Sequence, residues 1–275
     1  MIGPRPLAWR AIGRFLPLAA ALASPSAAAS AELACRMEGA VLLVPARVAG
    51  VAGEYILDAG APRTLLHDTR AQGAGLDVVA LRAPVRVGGV DLGEAAIAVV
   101  DLDARTRRLP IPAAGVIGSD VLSRRTVDIR FSPCRVAFLP PAGRAAARGR
   151  RLPMRLIDGA PAVEAAVSDG ATSRRGWFRV DTGSPLAVSL SADGAVALDE
   201  ASRPVAPETT SPDAVRPRLG RLRALSVGGM LIENPPAGLA QVQAGLAGTL
   251  GAPVWMTAGR LRLDYAHGDL MLGPP

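Results

Sequence analysis

The chain of 275 residues contains no lysine; all 31 of its basic residues are arginine. A phosphate-cradling P-loop needs its lysine, and Schiff-base chemistry needs a lysine amine, so neither class fits. Histidine is almost as scarce. Only His67 and His267 occur, and no His-Glu-x-x-His string, which argues against a histidine-built metal site or a zinc-peptidase helix. Aromatic residues make up 3% of the chain, so aliphatic side chains must fill any core. Beyond the first thirty residues, no apolar run approaches the length of a membrane span.

Arginine outnumbers acid, 31 to 24, for a formal net charge of +7. Part of that excess sits at the start. Arg5, Arg10 and Arg14 precede an uncharged stretch, residues 15–31, ending in Ala29-Ser30-Ala31. A positive segment, a short apolar segment and a small-x-small site make a secretory signal peptide, expected to cover residues 1–31. A membrane anchor needs about 20 strongly apolar residues, and Pro17, Ser24, Pro25 and Ser26 interrupt this stretch. Removing it leaves 28 basic residues against 24 acids, or +4. A spread charge of that size concerns solubility and is no nucleic-acid footprint. The expected location is periplasmic or secreted, with no membrane span after signal removal.

Cys35 and Cys134 are the only cysteines, and in an exported chain an even count favours a disulfide between them. Lipid attachment at Cys35 is the alternative, although Glu32 and Leu33 suit it poorly, and two buried free thiols are a third.

The remaining sequence repeats itself. Glu54-Tyr55-Ile56-Leu57 leads into Asp58-Ala59-Gly60-Ala61-Pro62, and Trp177-Phe178-Arg179-Val180 leads into Asp181-Thr182-Gly183-Ser184-Pro185. Val87-Gly88-Gly89 recurs as Val227-Gly228-Gly229, and Val116-Ile117-Gly118 as Thr249-Leu250-Gly251. Each half closes on a strand-like run, residues 126–131 and 260–265. The two aspartates are 123 positions apart, and the landmarks keep one order, the mark of a duplication. The expected division is a first lobe over 32–141, a linker over 142–151 containing Arg144, Arg148, Arg150 and Arg151, and a second lobe over 152–275. The linker lacks the interleaved aromatics of a nucleic-acid surface. Residues 199–217, rich in Pro, Ser, Thr, Asp and Glu, read as a long loop.

Short Val-, Leu- and Ile-rich runs such as 41–48, 96–102, 161–167 and 270–272 predict strands between turns. Residues 91–93, 158–159 and 267–269 carry hairpin signals, as does Val87-Gly88-Gly89. Short helices are expected over 120–125 and 253–258. The fold class is therefore mainly β, with two small barrel-like lobes related by a pseudo-twofold.

A carboxylate following an apolar strand and preceding x-Gly is carried inward, and the glycine lets backbone amides approach it. One such aspartate is an ordinary turn. Two related by a twofold can lie within about 3 Å, where both cannot ionise and one proton is shared. Such a pair can hold a water, deprotonate it and protonate a departing amine.

On these residues the chain resembles the aspartic proteases, and within them the bacterial exported retropepsin-like group. The resemblance rests on the two Asp-x-Gly-x-Pro motifs and the two triplets ending in Gly118 and Gly251, and spans residues 41–139 and 152–272. It implies Asp58 and Asp181 as the catalytic pair, with Gly60, Thr182, Gly183 and Ser184 in support. Thr182 would brace the site across the twofold, and the Ser184 hydroxyl would bond the Asp181 carboxylate. It implies a peptide or protein substrate, a monomer, and no cofactor or metal. Three departures stand out. Ala59 replaces the threonine of the first motif, Thr249 replaces an apolar residue, and no tyrosine occupies a flap, which would be short around Gly73 and Gly75. The residues 199–217 would supply the more substantial lid.

Other chemistry finds little support. Ser184 and Ser189 lack a suitable histidine, both histidines reading as surface residues. Cys134 with His67 as a thiol peptidase conflicts with the disulfide. Asp101, Asp103, Asp120 and Asp128 read as solvated turn and edge residues. Two alternatives to a working single-chain peptidase remain: a peptide- or protein-binding module that lost turnover, which Ala59 favours, and a lobe-swapped dimer.

Overall fold

The computed structural model describes residues 1, 3, 32–107, 109–141, 149–191, 196–199 and 218–274. Most of the expected signal, of the arginine-rich linker and of the 199–217 loop lies outside the described residues.

Alternation builds the strands. In Ala80–Val87, Ala83, Val85 and Val87 point inward, while Arg82 and Arg86 stay outside. The strand end that carries the first aspartate behaves differently: Tyr55, Ile56 and Leu57 are all buried at the end of Val51–Leu57, so it is covered on both faces and the next residue starts inside the protein. Ser173–Val180 keeps the alternation, burying Phe178 and Val180 on one face while Arg179 between them is half-buried.

In the first half, the spatial order is Arg36–Glu38, Val41–Val48, Val51–Leu57, Gly115–Ile117, Leu65–His67, Val90–Val100 and Ala80–Val87. Pairing of Ala80–Val87 back onto Val41–Val48 closes this sheet into a barrel. The second half repeats the plan. Arg150–Ile157, Ala160–Ser168, Ser173–Val180, Gly248–Leu250, Val188–Ser191, Pro236–Ala240 and Arg218–Arg221 follow in order, and Ala224–Val227 pairs onto Ala160–Ser168. In each half the strand before the aspartate runs parallel to the short strand that ends just before Gly118 or Gly251. Two barrel-like lobes, mainly β, are the result.

A further antiparallel sheet joins them, in the order Glu32–Ala34, Cys134–Leu139, Thr126–Phe131, Arg260–Asp264, Asp269–Gly273 and Arg150–Ile157. At its centre Asp128 faces Arg262. These two positions correspond in the duplication, so the pseudo-twofold passes between them. Arg150–Ile157 begins within the stretch expected as linker. A Cys35–Cys134 disulfide ties the N-terminal strands to this sheet.

Helices Ser119–Leu122 and Ala252–Ala258 stand close to where they are predicted, each directly after its glycine. A methyl on Gly118 would lie 2.4 Å from the Arg63 carbonyl oxygen, and one on Gly251 1.9 Å from that of Leu186. No side chain fits there, which explains why both triplets end in glycine.

Several expectations are corrected. Residues 91–93 lie within Val90–Val100, where the register shifts opposite Pro84 and Arg86; the hairpin turns instead at Gly88 and Gly89. The segment expected as a short flap around Gly73 and Gly75 contains the helix Asp68–Gly73, which buries Ala71 and leaves Thr69, Arg70 and Gln72 exposed. Asp128 is no edge residue: it is buried and holds Arg260 through Nε and Nη2, at 2.8 and 2.7 Å, and Arg262 through the same atoms, at 2.8 and 2.6 Å. Asp120 accepts the Thr64 hydroxyl at 2.7 Å.

Candidate active site

The two Asp-x-Gly loops meet at the junction of the lobes. Each aspartate leaves its strand through the same hydrogen bond, from Asp58 N to the Ile117 carbonyl at 3.0 Å and from Asp181 N to the Leu250 carbonyl at 2.9 Å. Each carboxylate then accepts the amide of its own loop glycine, Gly60 N to Asp58 Oδ1 at 2.7 Å and Gly183 N to Asp181 Oδ1 at 2.9 Å. The glycines also pack on the opposite acid. A methyl on Gly60 would sit 2.9 Å from Asp181 Cβ and Cγ, and one on Gly183 2.8 Å from Asp58 Cβ and Cγ. Any side chain at either glycine pushes the aspartates apart.

Thr182 is fully buried beneath them. Its hydroxyl donates to the Leu57 carbonyl at 2.6 Å and accepts the Ala59 amide at 3.0 Å, bracing the first loop from the second. Ala59 has no hydroxyl to return the brace, so the cross-link is one-sided. Ser184 does not act as the resemblance implied. Its Oγ accepts the Leu186 amide at 3.3 Å, closing its own turn, and makes no described bond to Asp181.

Asp58 is buried and Asp181 half-buried. Burial, followed by the charge of Asp58, pushes the Asp181 carboxyl well above the usual carboxylate range, against the opposing pull of Arg105. Arg105 comes from the short helix Asp103–Thr106, and its Nη2 donates to Asp58 Oδ2. On the other side Arg179 Nη1 reaches the Gly60 carbonyl at 3.5 Å, and its Nη2 meets Gln243 Oε1. Burial and the Asp58 charge push the Tyr265 phenol upward as well.

Sequence reading missed Arg105 altogether. It lies 47 residues from Asp58, in no motif, and nothing in local spacing marks it. It also placed His67 at the surface, whereas that ring is buried, with Nδ1 2.8 Å from Asp68 and Nε2 3.0 Å from Asp103. His267 is half-buried and pairs with Asp264 at 2.9 Å. Among the described residues, His67, Asp101 and Asp103 bring potential metal-ligand atoms within 4.8 Å of one another, but both His67 nitrogens already meet carboxylates. A hollow of about 670 Å³ bordered by Gln72, Leu76, Val79 and Val99 includes neither aspartate of the pair.

No family model and no curated protein matches the sequence. Among solved structures, the aspartic proteinase from Irpex lacteus aligns with 90% of this chain and 97% of its own, at a TM-score of 0.51 and 13% identity. At that identity the likeness is one of architecture: the chain has the fold of the pepsin-like aspartic proteinases.

Proposed function

We propose that this protein is an exported aspartic-type endopeptidase of the retropepsin-like kind. Its two lobes, residues 32–141 and 152–275, would join in one monomeric chain around the Asp58/Asp181 pair. The reading rests above all on the reciprocal packing of Gly60 against Asp181 and Gly183 against Asp58, which holds the two carboxyls together. With one proton between them, the ionised carboxylate takes a proton from a water as that water attacks the peptide carbonyl. The protonated carboxyl gives its proton to the carbonyl oxygen. Collapse of the tetrahedral adduct breaks the carbon–nitrogen bond, and a proton passes to the departing amine. An extended peptide lying between the lobes is the substrate this requires. The disulfide supports an oxidising compartment.

The test is cleavage of a peptide library from acid to neutral pH, read by mass spectrometry, for wild type and Asp181→Asn. Wild type should cut at defined bonds and the variant should not. Equal cleavage by both, or none by wild type at any pH, removes the reading. The one-sided Thr182 brace favours a second reading, a peptide-binding module without turnover; it predicts library peptides retained intact by both proteins.

A further inference from the structure

Arg105 has no part in the general scheme above, yet it touches the pair directly. We propose that Arg105 decides which carboxyl of the pair carries the proton, holding Asp58 as the base and leaving Asp181 as the acid. The proposal rests on the reading of these two aspartates as the working pair.

The two carboxyls sit in unequal surroundings. Both oxygens of Asp58 face donors: Oδ1 the Gly60 amide, Oδ2 the Arg105 guanidinium. A proton on Asp58 would conflict with these bonds, since an amide and a guanidinium only donate and a neutral carboxyl is a much weaker acceptor than a carboxylate. Asp181 accepts the Gly183 amide on Oδ1, while the two hydroxyls of its own motif are used elsewhere, Thr182 on Leu57 and Ala59 and Ser184 on Leu186. Asp181 can therefore carry the shared proton toward Asp58 without such a conflict. The duplication sharpens the contrast. The second motif has Thr182 and Ser184 where the first has Ala59 and Ala61, so the first loop carries no hydroxyl donor of its own. A guanidinium from a separate element supplies a donor there, and with it a permanent charge.

Among the described residues, these charged and titratable groups lie around the pair. Arg105 approaches from the helix Asp103–Thr106, whose first residue is held by His67 and, through that ring, linked to Asp68. Arg179 lies by the Gly60 carbonyl on the second lobe, and Tyr265 follows the strand Arg260–Asp264. Arginine and tyrosine keep their protonation between acid and neutral pH. The acid limb of a pH profile therefore belongs to the pair itself.

Removing the guanidinium takes an opposite charge and a hydrogen-bond donor from Asp58, which favours its protonated form. Arg105→Gln should therefore move the acid limb of the kcat/KM profile up, by about one pH unit or more. The alkaline limb should move less, because Asp181 feels Arg105 only through space. The same shift should appear in the carboxyl-carbon NMR titration of Asp58, which needs no turnover. Arg105→Lys keeps the charge and should leave Asp58 titrating close to wild type.

An Asp58 titration that does not move in folded Arg105→Gln overturns the proposal. So does a uniform rise in kcat/KM at every pH, which would make Arg105 a plug in the cleft. Should the glutamine variant not fold, Arg105→Lys decides: an Asp58 that titrates as an ordinary carboxyl contradicts the assignment. If wild type cleaves no peptide, the peptidase reading fails, and the Asp58 titration still settles the role of Arg105.

Discussion

At the scale of single residues, the candidate site depends on what is missing from two positions. Gly60 and Gly183 have no side chain, and each opposite aspartate occupies the space one would take. Alanine at Gly60 must push Asp181 away, and a displacement near 1 Å in a reacting group costs on the order of a hundredfold in rate. Gly60→Ala should therefore lose about two orders of magnitude in kcat/KM while circular dichroism still reports a β fold. Wild-type kinetics in that variant would mean the pair tolerates separation. The acids and glycines were legible because they recur in a repeated motif. Arg105 and His67 were not, since each takes its meaning from a partner brought close by folding. For Ser184 the resemblance named the wrong partner: its hydroxyl is more simply used by its own turn than by the acid.

Among the elements, the sheet between the lobes carries the most concentrated electrostatics. Burial alone would raise the Asp128 carboxyl, but hydrogen bonds and charges from Arg260 and Arg262 outweigh it, and the group titrates below its ordinary value. A carboxyl depressed on folding adds stability above its unfolded pKa near 4, and that contribution is lost as pH falls through the lower folded value. Asp128→Asn leaves two arginines facing a neutral amide at the lobe junction. Breaking a buried pair costs about 3–5 kcal/mol, and Arg260 keeps about a third of its side-chain exposure, so roughly 3 kcal/mol is expected at neutral pH. Urea unfolding at pH 7 and pH 3 measures this: the gap between wild type and variant should narrow at pH 3. A gap of equal size at both values would remove Asp128 from the account of acid stability. Strand periodicity gave no hint of this sheet's pairing. Thr126–Phe131 and Arg260–Asp264 are adjacent only because the duplication places them on the twofold, a relation no local pattern encodes.

At the scale of the molecule, two copies of one plan build a site that neither holds alone. The order of landmarks was enough to foresee two β lobes, their aspartate-bearing strand ends and the helices after Gly118 and Gly251. It could not foresee that residues 68–73 become a helix in place of a flap, because the same short polar sequence suits a turn or a helix until the barrel offers Ala71 a place to pack. The central claim is that Asp58 and Asp181 act as one catalytic unit across the lobe junction. A cycle of Asp58→Asn, Asp181→Asn and the double variant, measured as kcat/KM on a peptide that wild type cleaves, addresses that claim most directly. General acid–base groups are worth on the order of a hundred- to ten-thousandfold, and groups acting as a unit lose that amount once. Each single variant should fall by that range and the double variant no further. Full activity in either single variant, or losses that multiply in the double, would contradict the shared-proton pair.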